Sequence, residues 1–309
     1  MHHLKRQETI TPRPAYESQS KGFARCALVD ADAGSVHMGV GLARLEDGHV
    51  DTHVHSFEES FYVLEGEPVL YLDGSGVRLV PSACGVVPVG TPHAWRVDGG
   101  SATWIDMMSP RPRRPLEAPA DTFFVGSVPA SEPAPLDVRD PRNRNLFRLD
   151  DWQMDVDHLK VGAPVDQPTV SASMATALLA YSGIAVKMLV DQRLDAHLHT
   201  MFMVRYQPGG VAHPHDHPFE ESYYMLEGEV EVVADDQRYT LHPGDAFWTG
   251  VGCVHAFYNT SGKRVTWLET SAPGPPARHS YRFNRDWEYL DAKAAGLAAL
   301  SETDERREA

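Results

Sequence analysis

The sequence predicts an all-β protein built as two tandem barrels, with a short helix at the C-terminal end. Three observations carry that expectation: an internal repeat, short alternating apolar runs in both copies of it, and almost no helical periodicity. The segment 53–67 (HVHSFEESFYVLEGE) aligns with 215–229 (HDHPFEESYYMLEGE) at an offset of 162 residues, with 11 of 15 positions identical. The same offset carries His93 onto His255, so no insertion separates the motifs in either copy. A period that long marks a duplicated module.

Taken in order, residues 1–36 read as an N-terminal arm with strands, and 37–110 as the first barrel. After the first H-x-H come FYVLEGEPVLYL, VRLVP, GVVPVGTPHAWRV and ATWIDMM, short runs bounded by turn signals such as Asp73-Gly74. Residues 111–182 form a proline-rich linking and packing segment, whose Arg111, Arg113 and Arg114 are expected to pair with nearby carboxylates. Residues 183–275 read as the second barrel, entered through GIAVKMLVDQRLDAHLHTMFMVRY and continued by YYMLEGEVEVVA, RYTLHPGD, AFWTGVGCVHAFYN and VTWLET. Residues 276–309 hold the Ala/Leu-rich run 286–300, expected as a helix, and a charged tail.

Composition narrows the function classes. With 28 basic against 43 acidic residues, the formal charge is −15. That field opposes nucleic acid and anionic membranes. No run approaches the roughly 18 apolar residues of a membrane span, and residues 1–25 lack the apolar core of a secretion signal. A cytoplasmic protein is expected. Cys26, Cys84 and Cys253 are three in number and far apart, which speaks against disulfides or a thiolate site. Cys253 is set apart by lying two residues before His255.

The sixteen histidines are the informative excess. The first copy presents His53, His55, Glu59 and His93; the second presents His215, His217, Glu221 and His255. Residues two apart on a strand share a face, so each H-x-H pair can aim two imidazoles at one point. A nearby carboxylate and a histidine from another strand complete an N3O set. Such a set suits a divalent transition metal, with Mn or Fe(II) favoured and Ni, Co, Cu or Zn possible, at one or two ions per chain.

These residues resemble the cupin superfamily, and two copies in one chain look like a bicupin. The pattern G(x)5HxH(x)3E(x)6G is met by Gly209, His215, His217, Glu221 and Gly228. Its companion G(x)5PxG(x)2H(x)3N is met by Gly244, Gly252, His255 and Asn259, with Gly250 at the usual proline. In the first copy Pro88, Gly90 and His93 match, while Ser82 replaces the leading glycine and Val97 the asparagine. The resemblance implies double-stranded β-helix, jelly-roll barrels around metal sites, and by fold analogy a homodimer. A narrower likeness, to ureidoglycine aminohydrolase bicupins, rests on Phe123-Phe124-Val125-Gly126-Ser127, His199-Thr200-Met201 and Gln207-Pro208-Gly209. That group, which are manganese enzymes, orders its second-barrel ligands Glu, His, His, Gln. Here the set is His, His, Glu, His, which is dioxygenase- and decarboxylase-like.

The expected function is a metal-dependent enzyme acting on a small polar, oxo or carboxylate substrate, dioxygenase-like by ligand set. The alternatives are a redox-neutral Mn-dependent hydrolase or lyase, and a non-enzymatic metal-stabilised binding protein. Catalysis is expected in the C-terminal barrel, where Met203, Tyr223, Met225, Phe247, Trp248 and Phe257 could exclude water. His213 is a candidate base two residues before the ligand pair. Arg205 or Tyr206 is a candidate for holding a substrate carboxylate, only one of the two adjacent residues facing inward. Glu58 and Glu220, beside the ligating glutamates, are expected to point outward or pair locally.

Overall fold

In the first module the strands Gly39–His55 and His93–Ser109 each run for 17 residues and pair antiparallel from Gly39 opposite Met108 to His53 opposite His93. Strands this long bend through both layers of the module, so its strands join in a single 11-stranded sheet. The computed structural model describes residues 1–113, 120–155, 183–274 and 282–283.

In the second module the same two paths are broken. Thr200–Tyr206 stops at Gln207-Pro208-Gly209-Gly210 before Val211–Asp216 resumes, and His255–Tyr258 is separated from Val265–Ala272. Pro208 cannot donate to a ladder, and Gly209 sits at φ +79, a left-handed turn conformation that glycine adopts without steric cost. Asn259 holds both breaks together: its Nδ2 donates to Gln207 O (2.9 Å) and Lys263 O (2.8 Å), and its Oδ1 accepts from Ser261. Val97 stands at the matching place in the first copy and supplies no such bonds. The second module is accordingly two sheets, of six and five strands.

The sixth strand of the larger sheet comes from the arm. His2–Lys5 pairs antiparallel with Ala246–Thr249, placing the start of the chain on the second module. Each module has its own apolar core, around Phe61, Leu70, Trp95 and Trp104 in the first and Phe202, Tyr223, Phe257 and Trp267 in the second. A third cluster joins them, with Met38, Tyr62, Ile105 and Met107 facing Leu189, Met201, Met203, Trp248 and Leu268.

Two carboxylates bridge this seam. Glu58 accepts from the backbone N–H groups of His197 and Leu198 and lies 2.9 Å from His199 Nδ1. Glu220 accepts from Ser35 Oγ (2.6 Å) and Val36 N (2.7 Å). The two clamps repeat each other at the 162-residue offset. Glu58 and Glu220 are therefore buried and cross-linking, where the sequence suggested outward or local pairing. A strand's alternation puts each on the face opposite its ligand neighbour, and that face is covered by the other module.

Two parts of the expected fold class are corrected. No sheet closes on itself: the first module is one open, branched sheet and the second is two open sheets, so these are open cupin-type sheets and not closed barrels. Among the described residues, helix is confined to 3-10 turns of three or four residues. The expected helix at 286–300 lies outside the described residues. No described helix is long and apolar enough to cross a membrane.

Candidate metal centres and a charged cavity

Each H-x-H pair lies at the end of a strand, His53 and His55 on Gly39–His55, and His215 on Val211–Asp216 with His217 just past it. The next strand supplies Glu59 or Glu221, and a third supplies His93 or His255. The result is two buried clusters, His53/His55/His93 and His215/His217/His255, in each of which the ligand atoms lie within 4.8 Å of one another. Glu59 Oε2 is 2.9 Å from His55 Nε2 and 3.6 Å from His93 Nε2. Glu221 Oε2 repeats this at 3.0 Å from His217 and 3.6 Å from His255. Each cluster can chelate a divalent ion.

The surroundings fit a metal closely. His53, His93, His215 and His255 each turn Nδ1 onto the carbonyl two residues earlier, of Asp51 (2.7 Å), Thr91 (3.0 Å), His213 (2.6 Å) and Cys253 (2.9 Å). A proton fixed on Nδ1 leaves the Nε2 lone pair facing the cluster, as metal-ligating histidines require. His55 Nδ1 is held instead by Thr122 Oγ1 at 3.0 Å. His93 Nε2 is buried without a hydrogen-bond partner. Burial, reinforced by the other two imidazoles, holds His53 and His215 well below the ordinary histidine range, so both are neutral and ready to ligate. Glu59 and Glu221 are held below the usual carboxylate range: burial alone would raise them, and the adjacent imidazoles outweigh it.

The two centres differ in what surrounds them. Over the first lies a small cavity of ≈ 20 Å³ lined by Tyr16, Arg25, His53, His55, Glu59 and Asp106 among others. That is room for about one water molecule. Arg25 is buried and makes a bidentate pair with Asp106, Nε at 2.7 Å and Nη2 at 2.5 Å, which fixes the plane of its guanidinium. Tyr16 bonds Thr122 (3.1 Å), and burial pushes its hydroxyl well above the usual phenol range. Its φ of 56 is unusual for an aromatic residue.

In the second centre Glu269 stands where Asp106 stands in the first, and Val186 where Arg25 does, as the strand registers show. Burial and the Glu221 charge push Glu269 well above the carboxylate range. Tyr223 replaces Phe61 and places its hydroxyl 2.7 Å from Glu221 Oε2 and 3.0 Å from His255 Nε2.

The other sequence candidates scatter. Arg205 turns away from the second cluster and pairs with Asp151 at 2.5 Å. Tyr206 is the inward neighbour, packed on Trp267 at 4.6 Å. His213 is half-buried, and its carbonyl orients His215. Tyr223, Met225, Phe247 and Phe257 line the second module's interior, whereas Met203 and Trp248 pack in the seam. Arg113 pairs with Asp121. Sequence reasoning missed Tyr16, Arg25, Asp106 and Thr122. Each lies outside the histidine motif, and none carries a spacing signal.

Two cupin-type modules, each with a buried histidine cluster and an adjacent glutamate, define a bicupin fold. The cupin domain matches residues 41–108 and 202–271. Among solved structures, the chain is similar to the formate complex of Lactobacillus farciminis oxalate decarboxylase, at 14% identity and TM-score 0.61, covering 92% of this chain and 89% of that one. It is likewise similar to Bacillus subtilis oxalate decarboxylase, in a study of its Mn(II) centres, at 14% identity and TM-score 0.60, covering 92% and 80%. A search of curated proteins by sequence finds no match.

Proposed function

We propose that the protein is a manganese-dependent, redox-neutral lyase that decarboxylates a small oxo or carboxylate substrate, and that the first module is the reaction site. The observation that carries this reading is Arg25, a buried guanidinium locked by Asp106 in the wall of the cavity over His53, His55 and His93. A divalent ion held by those residues and Glu59 would polarise a substrate oxygen as a Lewis acid.

The chain's own groups do the rest. A fixed guanidinium suits a planar carboxylate, and its Nη1 edge is left for one once Nε and Nη2 are taken by Asp106. Thr122 holds His55 in orientation. Tyr16, protonated by burial, gives the wall a hydroxyl donor. The buried setting of the cavity keeps bulk water out. In the reaction the carbon–carbon bond to the carboxylate breaks, CO2 leaves, and the electron pair remaining on carbon takes up a proton.

The similarity to oxalate decarboxylases agrees with this reading better than with the dioxygenase expected from the ligand set. Arg25, which has no counterpart in the second module, is the reason to favour the first module over the C-terminal one expected from the sequence. The test supplies Mn-loaded protein with a panel of short dicarboxylates and 2-oxo acids. The reading expects CO2 release without net oxygen consumption; oxygen uptake in proportion to product would replace it with the dioxygenase.

A further inference from the structure

Away from both centres, three side chains of ligand type meet where the arm crosses onto the second module. Donor atoms of His2, Asp235 and Cys253 lie within 4.8 Å of one another. His2 comes from the arm strand His2–Lys5, Asp235 from the turn after Val230–Ala234, and Cys253 from the loop leading to His255–Tyr258.

Each is held in place by something other than the cluster. His2 Nε2 bonds the Tyr239 hydroxyl at 2.9 Å, which turns Nδ1 toward Asp235 Oδ2 at 3.2 Å. Asp235 and Asp236 occupy left-handed positions at φ 46 and 65, and the Asp235 N–H donates to Val254 O at 3.1 Å, tying the turn to the cysteine loop. Cys253 is 2% exposed. The Met1 amino group also reaches Asp235, at 2.7 Å.

We propose that His2, Asp235 and Cys253 form a third metal site, for a borderline-soft divalent ion of the zinc type. Imidazole, carboxylate and thiolate are the donors such an ion takes, at about 2.0–2.3 Å, so its donors stand roughly 3.5 Å apart. Closing the observed spacing to that value needs about 1 Å of side-chain movement at a half-exposed turn. On binding, the Cys253 thiol gives its proton to solvent as the metal–sulfur bond forms. The ion would staple the arm strand to the loop that carries His255.

Cobalt(II) titrated into the full chain tests this, because neither histidine cluster contains sulfur. A near-ultraviolet thiolate-to-cobalt charge-transfer band should appear, bleach on zinc addition, and vanish in both Cys253→Ser and His2→Gln. The second variant lies on the partly exposed arm, so it carries the test if the first does not fold. No band in the parent protein, or a band that survives in either folded variant, would overturn the site.

Discussion

The Glu58 carboxylate lies 2.9 Å from the imidazole of His199, both side chains buried and each in a different module. Glu58 directly precedes Glu59, so one strand serves a metal cluster on one face and the partner module on the other. Glu220 does the same beside Glu221, through Ser35, Val36 and His37. The seam and the two centres are thus built from adjacent residues.

Removing a clamp should cost stability out of proportion to its size. Glu220→Ala removes the acceptor of the Ser35 hydroxyl and of the Val36 and His37 N–H groups; Val36 is exposed enough for its N–H to find water, so the loss is about 1–3 kcal/mol. Urea denaturation should show an unfolding free energy lower by that amount. A change within the scatter of surface substitutions would mean the clamp contributes nothing.

Acid should destabilise the metal-free protein beginning near the ordinary histidine value. His53 and His215 titrate well below 6.5 when folded and near it when unfolded, so the unfolded chain binds more protons as pH falls. Their stabilisation is complete above that value and is lost on the way down to the folded pKa. Glu59 and Glu221, depressed from 4.5, add a second loss at lower pH. Melting temperature of chelator-treated protein should fall steadily below pH 6.5; a flat profile would contradict the burial of neutral imidazoles.

Arg25→Lys keeps the charge and removes the fork. If Arg25 holds the substrate carboxylate, kcat/KM should fall about 10–100-fold, the equivalent of one charge-assisted hydrogen bond, with metal content unchanged. Unaltered turnover would free Arg25 from the substrate.

Tyr223→Phe makes the second centre resemble the first, where Phe61 stands. Loss of the hydroxyl from Glu221 should weaken metal binding there by about tenfold and leave the first centre unaffected. Competition titration with a chelating dye separates the two affinities. Equal affinities before and after would show that the phenol does not tune the site.

The duplication, the β class and both histidine clusters were legible because the ligand spacing is local and occurs twice. Nothing local marks the cavity wall. Arg25 reaches His53 only through strand pairing, from Arg25 opposite Ala43 to His53 opposite His93, and no period in the sequence encodes that register. Strand alternation offered either Arg205 or Tyr206 as the inward residue and could not choose; in the structure Tyr206 packs on Trp267 and Arg205 pairs with Asp151. The closed barrels were expected from short punctuated strands, a pattern that fits a sandwich or a barrel alike, whereas the breaks at Pro208-Gly209 and Asn259 were present in the sequence and leave the second module as separate open sheets.

Anomalous scattering from crystals of the Mn-loaded protein, recorded at the manganese edge, tests the centre of this account most directly. A peak enclosed by His53, His55, Glu59 and His93, beneath the Arg25–Asp106 pair, is the predicted result. Full occupancy at His215, His217, Glu221 and His255 with no peak at the first cluster would contradict it.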